Sequence, residues 1–110
     1  MLLGFYNPYA FVLPGSNTLQ EILNELIEEE IVANFPNVTF ANPFPVFNPV
    51  NKTEKQQKKA ICKYTEMCNP NVQKPGGNPP GEDGDIHPTL AGYKQIAKLV
   101  NEAYLANPAH

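Results

Sequence analysis

The sequence predicts an α/β fold with a parallel sheet. The segments run strand, helix, strand, helix, loop, helix, an order that implies parallel pairing. The opening run "LLGFY" is apolar on both faces, as in the interior of a covered sheet. The 12 prolines fall in loop-like zones and leave the helical segments clean, so the element boundaries are sharp.

Residues 1–6 form an apolar, aromatic-rich run that stops at "NP" and reads as a buried strand. "FVLPG" is a second short apolar piece. A helix follows, with Ser16, Asn17 and Thr18 as candidate N-caps and Thr18 with Glu21 in capping-box register. Leu19, Ile22, Leu23, Leu26, Ile27 and Ile31 recur at helical spacing opposite a glutamate-rich face. Pro36 ends the helix before Phe35.

Residues 38–41 are β-rich and lead into a stiff, proline-laden connection, "NPFPVFNP". "TEKQQKKAICKYT" reads as a helix of about three turns, with Ala60, Ile61 and Tyr64 on its apolar side. Residues 66–86 are a long loop rich in Asn, Pro and Gly, and loops of that length usually have a function. The last helix starts near Pro88 and buries a stripe of Tyr93, Ile96, Ala97, Val100 and Tyr104. A doubly covered first strand needs more neighbours than one further strand. The chain therefore reads as the C-terminal part of a larger α/β domain whose first strands lie upstream.

The bulk numbers limit the function classes. A chain of 110 residues holds one small domain at most. Its net charge of -3 and pI near 5.3 argue against nucleic-acid binding. The one basic cluster, Lys52 to Lys59, is interrupted by Glu54 and glutamines and reads as a solvated helix face. No run of 18 apolar residues is present, which argues against a membrane span. "MLLGFY" is too short for a signal-peptide core, so a secreted protein would carry its signal upstream. Cys62 and Cys68 do not have zinc-site spacing, and a local disulfide and two free thiols both remain open. Asn37-Val38-Thr39 and Asn51-Lys52-Thr53 are formal glycosylation sequons.

Residues 81–93, "GEDGDIHPTLAGY", carry the chemistry. His87 stands at the end of the long loop and the mouth of the last helix. A helix N-terminus disfavours the imidazolium and keeps the ring able to accept a proton near neutral pH. Asp83 or Asp85 would stabilise the imidazolium formed during turnover. Those are the requirements of a base serving a hydroxyl nucleophile. Two other readings exist: a surface histidine capping a helix beside solvated acids, and a non-enzymatic or metal-dependent binding module built on loop 81–87 from Asp83, Asp85 and His87.

"DIHPTLAGYKQIAKLV", residues 85–100, resembles the last motif block of the SGNH or GDSL-type hydrolases, a family of esterases, lipases and acylhydrolases. The shared features are an acid, His-Pro, a Gly-Tyr pair and an Ile-Ala helix. "LLGFYNPY" and "ICKYTEMC" resemble segments that precede the block in some esterase-like members. The resemblance makes residues 1–110 a partial domain of that family. It implies a flavodoxin-like three-layer αβα sandwich and hydrolysis of a small ester or acyl substrate by a Ser-His-Asp triad, with no cofactor and no metal. His87 then matches the base. The family's Asp-x-x-His spacing would put the acid at position 84, which is Gly84 here. Asp85 is the first choice for the acid, Asp83 the alternative, and a backbone carbonyl a third possibility.

The nucleophile block is missing. No Gly-Asp-Ser motif is present, and Asn7 does not match the family's Gly-x-Asn-Asp pattern. The single serine, Ser16, follows Pro14-Gly15 at a helix start and superficially mimics a strand-to-helix nucleophile turn, but helix capping accounts for it. Cys62 and Cys68 lack the glycine turn of a thiol nucleophile. The serine and the oxyanion hole are expected from the missing N-terminal part of the same domain. The chain alone is expected to be catalytically silent and poorly folded.

Overall fold

The computed structural model describes residues 1–69 and 85–106. Strand β1 (Leu2–Leu3) pairs in parallel with β2 (Phe40–Ala41), Leu2 opposite Phe40 and Leu3 opposite Ala41. Helix α1 (Ser16–Leu26) continues into a π-helical segment, Ile27–Val32. A short α2 (Phe44–Phe47) follows β2. Then come α3 (Glu54–Tyr64), a 3₁₀ turn (Glu66–Cys68) and α4 (Leu90–Ala106).

The parallel pairing expected from the segment order is present. The three-layer flavodoxin-like αβα sandwich is not: the described residues form one sheet of two strands, each two residues long. The ladder closes with Leu2 N–H donating to Thr39 O and Gly4 N–H donating to Ala41 O, both at 2.7 Å. Beyond it, side-chain amides replace strand partners. Asn24 on α1 accepts from the Phe5 N–H at 3.0 Å and donates to the Phe5 carbonyl at 2.8 Å. Asn48 does the same for Asn7, at 2.8 Å each way. Both asparagines are buried, so these bonds satisfy backbone groups that a longer ladder would otherwise pair. β2 is short because the chain turns into α2 at Pro43, whose imino nitrogen cannot extend a ladder.

The core sits between β2, α2 and α3. Phe47 is fully buried, stacks on Tyr6 with ring centroids 4.5 Å apart, and meets Tyr64 at 5.2 Å. Ala41, Phe44, Ile61 and Met67 complete it. The segment expected to be a stiff connection thus supplies the central core residue. Pro43 is the N-cap of α2 and Pro45 falls in its first turn, where a missing N–H costs nothing, while Pro49 follows the C-cap Asn48.

α3 has the position expected for it. Thr53 and Gln56 form a reciprocal capping box at its start, and Ile61 is buried. The caps expected for α1 are absent. Gly15, at φ +80°, is the N-cap, and no side chain caps the helix. A left-handed φ is open to glycine at little cost.

α1 and α4 depart from their expected faces. α1 turns Asn24 inward, while Leu19, Ile22, Leu23, Leu26 and Ile31 remain exposed. Two-residue strands are too short to cover that stripe. α4 packs on β2 and α3 through the side bearing Gly92 and Ile96, with Tyr93 and Tyr104 about half exposed. Gly92 is the contact point with α3. A Cβ there would lie 2.1 Å from the Tyr64 carbonyl oxygen, so only glycine permits this approach.

Candidate functional site

The site is built on the segment that joins α3 to α4 in space. The chain leaves α3 at Thr65, which forms an isolated antiparallel bridge with Pro88. Glu66 N–H donates to the His87 carbonyl at 2.9 Å, and Thr89 N–H donates to Tyr64 O at 3.0 Å. The Thr89 hydroxyl donates to Lys63 O at 2.6 Å and accepts from the Gly92 N–H at 3.1 Å. Thr89 therefore caps α4 while tying its start to the end of α3.

Residues Lys63 to Glu66, which grip residues 87–89, lie inside a closed loop. Cys62 and Cys68 form a disulfide, with Cα atoms 5.1 Å apart. Thr65, almost fully buried, fixes the loop interior. Its hydroxyl donates to Ile61 O at 2.7 Å and accepts from Met67 N–H at 3.3 Å. This decides between the two cysteine states left open by the sequence.

At the end of this scaffold Asp85 and His87 come together. The Asp85 carboxylate accepts from the His87 backbone N–H at 2.8 Å, and the same oxygen contacts the ring Nδ1. Two residues of separation suffice because the carboxylate folds back over the turn it begins. The His87 backbone hydrogen bond first, and the ring contact second, hold the Asp85 carboxyl below the usual carboxylate range. An ionised carboxylate only accepts, so in a neutral ring this contact favours the tautomer with the proton on Nδ1 and the lone pair on Nε2. The His87 side chain is 71% exposed, so an incoming group has access to the ring.

On the other side of the turn, the Tyr6 hydroxyl donates to the Ile86 carbonyl at 2.7 Å. Burial, with smaller contributions from Tyr93 and Asp85, pushes the Tyr6 hydroxyl up to about 12. Next to it lies an apolar groove of about 270 Å³ lined by Leu3, Gly4, Phe5, Tyr6, Pro8 and Ile86.

The sequence-predicted residues fall out as follows. His87 and Asp85 meet. The alternative acid, Asp83, and Gly84 lie outside the described residues. Ser16 is not joined to the histidine. Its hydroxyl donates to Leu13 O at 2.7 Å, lies 3.3 Å from Tyr9 O, and accepts from Asn7 Nδ2 at 2.9 Å. It caps no helix, contrary to expectation, and ties the start of α1 to Asn7 and Leu13 of the β1–α1 connection. Among the described residues, no three His, Cys, Asp or Glu side chains gather as a metal-binding group. No helix among them is long and apolar enough to cross a membrane. Sequence reasoning missed Tyr6 and Thr89. A threonine directly before a helix start, three residues ahead of Gly92, was the available signal for the second. Family models, curated proteins and solved structures yield no match to the chain.

Proposed function

We propose that the chain supplies the base-bearing half of a serine ester or acyl hydrolase site, with His87 as general base and Asp85 as the residue that orients it. The observation that carries this reading is the Asp85–His87 pair, which leaves Nε2 of an exposed ring as proton acceptor. The resemblance of residues 85–100 to the last block of the SGNH hydrolases supports it. In this reading the nucleophilic serine and the oxyanion donors come from a segment N-terminal to residue 1. The open apolar stripe on α1 and the exposed Leu3 and Phe5 offer it a surface to pack on.

In acylation the serine hydroxyl attacks the substrate carbonyl and its proton passes to His87 Nε2. The Asp85 carboxylate offsets the imidazolium charge. The same proton then goes to the leaving alcohol, and the cycle repeats with water to release the acid. The groove beside Ile86 supplies apolar surface for one arm of the ester.

The test is hydrolysis of 4-nitrophenyl butyrate by residues 1–110 alone and by the polypeptide extended through the upstream reading frame. The extended protein is expected to turn over substrate and His87→Ala to abolish it, while the 110-residue chain is silent. Turnover by the short chain, or full activity in extended His87→Ala, contradicts the proposal.

A further inference from the structure

We propose that Tyr6 is a positioning residue for the His87 base, acting through the carbonyl of Ile86; this rests on the reading of His87 as a base. Ile86 is the one residue between Asp85 and His87, so the orientation of its peptide sets how the carboxylate meets the ring. Thr65, Glu66 and the Thr89 contacts hold the chain on the C-terminal side of that peptide. The peptide itself is held at both ends: the Tyr6 hydroxyl donates to its Ile86 oxygen at 2.7 Å, and its His87 N–H donates to Asp85 at 2.8 Å.

Tyr6 is suited to this role. Its ring is stacked on the fully buried Phe47, so the hydroxyl is carried on a side chain anchored in the core. β1 anchors the backbone two residues earlier through the Gly4 N–H bond to Ala41 O. With its pKa near 12, the phenol stays protonated and donating throughout the pH range in which an imidazole base works. The contact links residues 80 positions apart and connects the N-terminal strand to the catalytic turn. Phenylalanine at position 6 keeps the stack and loses only the donor.

The experiment has two readouts. In the 110-residue chain, the Asp85 carboxyl is titrated by ¹³C NMR in the parent, Tyr6→Phe and Tyr64→Phe, with folding followed by near-UV circular dichroism. Tyr64 also meets the Phe47 ring, with centroids 5.2 Å apart, and controls for loss of a hydroxyl from this aromatic cluster. Tyr6→Phe is expected to move the Asp85 titration up towards the ordinary carboxylate range, and Tyr64→Phe to leave it in place. In the extended polypeptide, Tyr6→Phe is expected to lower kcat about 10- to 100-fold with KM little changed, as for a misplaced base. An unmoved Asp85 titration, or equal shifts in both variants, overturns the positioning role. So does unchanged kcat in Tyr6→Phe when His87→Ala is dead. If His87→Ala stays fully active, the base reading fails instead, and the Asp85 titration still decides whether Tyr6 fixes the turn.

Discussion

One oxygen of the Asp85 carboxylate serves both the backbone N–H and the ring Nδ1 of His87. A two-residue spacing thereby brings the carboxylate to both groups. The backbone bond fixes the turn, and the turn delivers the ring to the same oxygen. Asp85→Asn keeps the shape but replaces the ionised acceptor, so the Nδ1 proton and the imidazolium lose their partner. In the extended polypeptide this change is expected to lower kcat on the order of 10³- to 10⁴-fold, measured by ester hydrolysis at neutral pH.

The same pair has a pH signature in stability. Asp85 titrates below its unfolded-chain value, so its contribution is present above about pH 4 and is lost as pH falls through the lowered value. Denaturant unfolding of the parent and Asp85→Asn is expected to show a difference at about pH 5 that shrinks below about pH 4. A difference that grows on acidification contradicts the assignment.

Reducing the Cys62–Cys68 disulfide opens the loop that holds residues 87–89. For so short a loop, chain entropy gives a loss of about 2 kcal/mol, readable in urea melts with and without reductant. Amide exchange is expected to accelerate first at Glu66 and Thr89, whose N–H groups bond across this junction.

Gly92→Ala is expected to destabilise the chain by about 1–3 kcal/mol, since a methyl group at 2.1 Å from the Tyr64 carbonyl oxygen forces α4 away from α3. Thermal unfolding measures the loss. An unchanged melting temperature would show that α4 does not pack here as described.

These junction contacts also show what the sequence could reveal. Alternating strand and helix signals made the parallel pairing of Leu2–Leu3 with Phe40–Ala41 legible. The three-layer sandwich was not realised: past β1, Asn24 and Asn48 bond to the backbone of Phe5 and Asn7 through contacts 19 and 41 residues apart, beyond the reach of periodicity. Phe47 was hidden for a related reason: proline at a helix start and proline in a connection look alike until the helix is seen. Tyr6 reaches Ile86 across 80 residues, and no local pattern encodes that bond. The contact of Asp85 with His87 was within reach of the sequence because the two lie only two residues apart.

The most direct measurement is the tautomer of His87, read from the ¹⁵N shifts of its ring in the 110-residue chain above its titration midpoint. A carboxylate on Nδ1 predicts the Nδ1–H form, with Nε2 unprotonated and ready to accept. Predominance of the Nε2–H form would contradict the account, because the nitrogen assigned as base would already carry the proton.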